Sequence, residues 1–215
     1  EETGLHLLSA PVDAVDASDV DDQAMAQVIA LARSSFEFVV IDTLPIVDAV
    51  MLTVFDLADR LYLVNQGTVP DVVGAARLRE MLDRLEIPVE RERIVLNRNT
   101  PSFPGQLERK VVAGRIGRNV DFEVPYDKRV LSALNLGRPR ILDAGRRGWG
   151  RVVRELIDDA ESISSFASDV AEQDLAEGAS PDSRRGADGV SDPAGSKKRW
   201  WELGRHLAAL RSERT

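Results

Sequence analysis

Phe36-Glu37-Phe38-Val39-Val40-Ile41-Asp42-Thr43-Leu44-Pro45 decides the reading of this chain. An apolar run closes on a single acid and then turns at a proline. Strands buried on both faces of a parallel sheet read as such runs, and in open α/β sheets ligands bind beyond the carboxyl ends of the strands. Asp42 therefore stands where the chemistry of such a fold takes place. The plainer alternative is that Asp42 caps the next helix or opens a turn. The stretch alone leaves both readings open.

Working outward, four further apolar runs, at residues 5–10, 60–65, 93–97 and 120–124, are spaced to leave room for helices. Strands alternating with helical segments imply βαβ units, hence an α/β fold with a parallel sheet flanked by helices. One helix is expected to start near Ser18 and to carry Val20, Ala24, Val28 and Leu31 on one face. Between Pro70 and Leu85, the residues Ala75, Leu78, Leu82 and Leu85 recur at helical spacing, which predicts the crossover into the run at 93–97. A short helix over 128–135 should stop at Gly137, with Pro139 beyond it. An amphipathic helix is predicted over 151–166, after a glycine-rich turn at Trp149, which reads as a packing residue.

A length of 215 residues suits one α/β domain with an appendage. The net charge of −8 argues against an extended nucleic-acid surface. With no cysteine, and with only His6 and His206 as histidines, neither thiol chemistry nor a metal cluster is indicated. No apolar run reaches the roughly 18 residues of a membrane span, and the first residues lack the pattern of a signal peptide. Because the chain opens on Glu1, further residues are expected ahead of it.

Residues 167–195 turn to Asp, Glu, Ser, Gly, Ala and Pro, too poor in large apolar side chains to offset their ordering entropy, and read as a disordered acidic linker. Residues 196–215 reverse the charge. Lys197, Lys198, Arg199, Arg205, Arg211 and Arg214 surround Trp200, Trp201, Leu203, Leu207 and Leu210, the pattern of a basic amphipathic helix. Its target is open between an anionic membrane surface and a protein, a partner or its own domain. The organisation expected is thus 1–166 as the α/β domain, 167–195 as linker and 196–215 as terminal helix.

Taken in order, Thr3-Gly4-Leu5-His6-Leu7-Leu8-Ser9-Ala10-Pro11, the stretch at 36–45, Ala58-Asp59-Arg60-Leu61-Tyr62-Leu63-Val64, Val95-Leu96-Asn97-Arg98, Val124-Pro125-Tyr126-Asp127 and Ala133-Leu134-Asn135-Leu136-Gly137-Arg138-Pro139 form one pattern. It resembles the later two-thirds of a MinD/ParA-type P-loop ATPase, nearest to the CpaE/TadZ pilus-assembly branch, over residues 3–142. The resemblance implies ATP and Mg as cofactors and a homodimer closed through nucleotide. It makes Asp42 the Walker B acid, catalytic and on the magnesium shell, directly or through water. It places Asn97 at the adenine edge and Pro125 and Asp127 on the loop lining the base; a strand-ending proline and a helix-capping aspartate are the equal alternative for these two.

The family's glycine-rich loop ending in Lys-Thr or Lys-Ser does not occur in these 215 residues. By analogy it belongs ahead of Glu1, so the fold reads as P-loop NTPase-like and N-terminally truncated, and the chain by itself is expected to hydrolyse nothing. Ile46 also stands where many relatives place a glycine that senses the γ-phosphate. The function implied is an ATPase of pilus assembly or of polar or septal localisation, cytoplasmic and peripheral at the membrane face. A scaffold of the same fold that recruits partners without hydrolysis is the alternative. Chromosome partitioning would want a basic surface that this acidic chain does not advertise.

Overall fold

A computed structural model describes residues 4–9, 20–44 and 46–177, with side chains as far as residue 163 except that of Asp143. The described residues fall into two compact units, one running up to Val54 and the other spanning Phe55–Ala176.

The second unit is built on a parallel sheet of three strands in the order β1 (Leu61–Asn65), β2 (Glu92–Asn97) and β3 (Phe122–Val124). Leu61 pairs with Glu92 and Asn65 with Leu96, while Val95 pairs with Phe122 and Asn97 with Val124. Helices α3 (Val69–Arg84) and α4 (Arg109–Ile116) supply the crossovers. Thr68 caps α3: its hydroxyl accepts from the Asp71 amide at 3.4 Å and donates to the Asp71 carboxylate at 2.6 Å. Along α3, Val72 and Leu82 are wholly buried and Ala75 and Leu78 half-buried, as the helical spacing predicts.

The other face of the sheet is covered by the long helix α6 (Trp149–Glu177). Val95, Val124 and Val152 form a core there, with Tyr62, Phe122, Trp149 and Leu156 packed around it. Trp149, Val152, Leu156 and Asp159 recur at three- and four-residue spacing, so one stripe of α6 meets the sheet. In chain order, α5 (Arg129–Asn135) and a 3-10 turn, Arg140–Asp143, come between β3 and α6. The predicted stop is present: Gly137 adopts φ +63°, and the Arg138 amide returns to the Ala133 carbonyl at 3.0 Å.

In the first unit, α1 (Asp22–Ser35) is capped by Asp21, whose carboxylate accepts from the Ala24 amide at 2.7 Å. Two expectations are corrected here. The inward stripe of α1 is Met25, Ile29 and Ala32, one position on from the expected Ala24, Val28 and Leu31; Val28 and Leu31 face outward, 41% and 69% exposed. The runs at 5–9 and 38–44 pair with no strand among the described residues, and Val40 is 93% exposed. An apolar run records a tendency to be buried, whereas a strand also needs a neighbour to take its backbone hydrogen bonds. The His6 and Phe36 rings lie 4.9 Å apart, tilted. Helix α2 (Ala49–Leu57) starts at Asp48, whose carboxylate accepts from the Met51 amide at 2.8 Å.

Helix α6 also outruns its predicted end, continuing past residue 166 to Glu177. Ala, Glu, Gln and Leu there are good helix formers, and composition alone reads the acids among them as linker. The remainder of the linker and the segment 196–215 lie outside the described residues. No described helix is long and apolar enough to cross a membrane.

Candidate functional site

The carboxyl ends of β1, β2 and β3 bring Asn65, Asn97 and the Pro125–Asp127 segment to one edge of the sheet. This is the edge at which open α/β sheets bind ligands. Asn97 is the last residue of β2, half-buried beside Val124 in register. Its carbonyl accepts from the Asn99 amide at 3.1 Å, closing a tight turn. Arg98 follows and is locked: its guanidinium donates to Glu123 at 2.9 Å and to the Leu107 carbonyl at 3.0 Å.

Pro125 lines a cleft of about 440 Å³ together with Arg98, Thr100, Gln106, Tyr126 and Arg151. Asn97 and Asp127 are the chain neighbours of the lining residues Arg98 and Tyr126 and do not line it themselves. Three of the four sequence-predicted residues thus share one sheet edge. Asp42, exposed after its unpaired run, belongs to the first unit.

Asp127 is heavily engaged. Its carboxylate accepts from the Arg129 amide at 3.0 Å and guanidinium at 2.9 Å, and from Arg140 at 3.2 Å. The Arg140 guanidinium stands 6.0 Å from the Trp149 ring centre. Asp127 therefore clasps the start of α5 to the 3-10 turn. The Arg129 hydrogen bonds, foremost, and then Arg140 hold its carboxyl down to about 2, from an ordinary value of 3.8.

A depressed folded-state value contributes stability above the ordinary pKa and loses it as pH falls toward the lower one. Asp127→Asn is accordingly expected to melt at a lower temperature than wild type above pH 3.8, with the gap closing as pH falls toward about 2. Parallel thermal melts across that window check it, and a gap independent of pH would contradict the clasp.

Two buried polar residues have no counterpart among the sequence-predicted ones. Asn65 is 3% exposed; its amide donates to the Val95 carbonyl at 3.1 Å and its oxygen accepts from the Gly67 amide at 3.2 Å, tying β1 to β2 and shaping the loop into α3. Gly67 sits at φ +75°, where a Cβ would lie 2.7 Å from the Arg98 guanidinium and 2.9 Å from Leu96. A strand-ending asparagine two residues before a glycine was the available signal. Glu92, wholly buried at the opposite edge, accepts from Arg118 at 3.3 Å, with Arg79 3.8 Å away. Burial pushes its carboxyl up and the two guanidinium groups pull it back.

Magnesium and ATP make different demands on Asp42, in the first unit, and on Asn97, in the second. No described group of three or more acids or histidines could cage a metal. Magnesium held with nucleotide needs only one or two carboxylates, the rest of its shell being phosphate and water, so a lone Asp42 is compatible with it. Asn97 offers an amide that makes no side-chain hydrogen bond among the described residues and can both donate to and accept from a base.

No protein-family model matches the chain, and no curated protein matches it. Solved structures do. The chain is similar to a ParA family ATPase from Chlorobium tepidum TLS, with 20% identity and a TM-score of 0.58 over 66% of this chain and 58% of that one. It is similar to the cell division ATPase MinD of Pyrococcus furiosus, with 15% identity and a TM-score of 0.58 over 71% and 63%. The MinD cell division protein of Aquifex aeolicus matches at 14% identity and a TM-score of 0.53 over 65% and 61%. The fold is thus the α/β fold of ParA and MinD P-loop ATPases. The chain spans about three-fifths of the length of these structures.

Proposed function

We propose that this chain is the part of a ParA/MinD-like ATPase that carries the magnesium-side acid and the base-binding edge. It works with ATP and magnesium as a nucleotide-bridged homodimer, in pilus assembly or in polar or septal positioning at the cytoplasmic membrane face. Residues 196–215 serve as its contact with anionic lipid. The observation that supports this reading best is the meeting of Asn97 and Pro125 at the carboxyl edge of a parallel sheet whose fold is that of such ATPases. Bound magnesium would neutralise charge developing on the transferred phosphoryl group. Within the chain, Asp42 would orient the metal's water shell, Asn97 would read the base, and Asp127, through Arg129 and Arg140, would hold the Pro125–Tyr126 loop in shape.

Joined to a phosphate loop, the chain is expected to prefer ATP over GTP, and Asn97→Ala to reduce that preference about tenfold, the worth of one or two lost hydrogen bonds. Titration with fluorescent analogues of both nucleotides measures it. Equal affinities in wild type and variant would remove Asn97 from the site. Ile46 in the glycine position favours a second reading, a non-hydrolysing scaffold of the same fold. The two part on turnover: a scaffold recruits partners with no magnesium-dependent release of phosphate.

A further inference from the structure

Helix α5 and the 3-10 turn behind it are apolar on two sides. Val130, Ala133 and Ile141 are half-buried. Leu131, Leu134, Leu136 and Leu142 instead stand 60%, 70%, 74% and 66% exposed. A surface helix ordinarily turns polar residues outward, and four leucines exposed within one short segment require a partner. Leu131 and Leu134, three apart, share a face of α5.

The charge around them identifies that partner. Residues 126–147 hold six basic residues against two acids, in a chain whose net charge is −8. Asp127 is paired with Arg129 and Arg140, which leaves four basic residues, Lys128, Arg138, Arg146 and Arg147, outside that cluster. Lys128, Arg146 and Arg147, which bracket the leucines in the sequence, are exposed. A second copy would set this basic face against its like in a two-fold contact, and the segment 196–215 is itself basic, so both are repelled. Side chains this exposed suit insertion into an interface more than the capture of a peptide, which needs a groove to bury them. Exposed leucines in a segment rich in lysine and arginine match an acyl boundary beneath anionic head groups.

We infer that the α5 face of the Phe55–Ala176 unit docks on an anionic lipid surface, with Leu131, Leu134, Leu136 and Leu142 entering the interface. This contact is separate from anything residues 196–215 do and does not depend on nucleotide.

The chain has no cysteine, so Leu134→Cys creates a unique site for an environment-sensitive fluorophore on the full chain, with Arg84→Cys on α3 as the control position. Phosphatidylcholine vesicles doped with phosphatidylglycerol are expected to shift the label at 134 to the blue, pure phosphatidylcholine to leave it unchanged, and salt to reverse the shift. The shift should persist in the Trp200→Glu, Leu207→Glu background, which removes two of the large apolar residues of the terminal segment. Leu134→Glu with Leu142→Glu should lower cosedimentation in that background about tenfold or more, with the circular dichroism spectrum unchanged because both side chains are exposed.

A label that stays aqueous while the chain sediments with vesicles would overturn the inference, as would no sedimentation at low salt. A blue shift that grows with protein concentration without lipid would assign the face to a second copy. A shift on polyglutamate but not on vesicles would assign it to an acidic protein. Either result replaces the lipid surface.

Discussion

Asp159→Ala is expected to destabilise the Phe55–Ala176 unit by about 2–3 kcal/mol, the upper range for charged hydrogen bonds and short of that for a fully buried ion pair. The Asp159 carboxylate gathers Arg93 at 2.9 Å, Arg60 at 3.2 Å and the Tyr62 hydroxyl at 2.8 Å. Both arginines and the aspartate are at most 20% exposed, so loss of the anion leaves two guanidinium groups facing each other in a half-dry space. The cluster pins α6 to the amino ends of β1 and β2, one turn beyond Leu156. Urea unfolding of wild type and variant measures the change. The Tyr62 phenol gives an independent readout: burial first, and the hydrogen bond to Asp159 second, push its titration up. Its absorbance titration should therefore move to lower pH in the variant. A small change in stability with no movement of the phenol would show that α6 is held by apolar packing alone.

Asp42→Ala is expected to abolish magnesium-dependent ATP turnover when this chain is joined to a phosphate loop, a loss on the order of 10²–10³ or more. The fold should survive, because Asp42 is exposed at the end of a run that pairs with no described strand. Phosphate release and the melting temperature, measured together, separate the two effects. Unchanged turnover would return Asp42 to a turn or capping role. Residues 1–215 alone are expected to release no phosphate, having neither an anion cradle nor the lysine that counters the γ-phosphate.

The sequence by itself determined the parallel α/β architecture and most of its joints. Runs such as 60–65 and 93–97, the α3 spacing from Ala75 to Leu82 and the stop at Gly137 are local patterns, written in a few neighbouring residues by periodicity and backbone freedom. The gathering of Asn97 and Pro125 at one edge followed from the same logic, since parallel strands end together. What only the tertiary structure decided depends on residues far apart in the chain. Asp127 becomes a clasp because Arg140, thirteen residues on, folds back to it. Asp159 becomes a hub because α6 crosses strands more than sixty residues upstream. The inward stripe of α1 moved one position, from Val28 to Ile29, because spacing names candidate stripes and packing chooses among them. The run ending at Asp42 carries the apolar signature of a strand, yet pairing is a property of two segments, and no single segment can encode its neighbour.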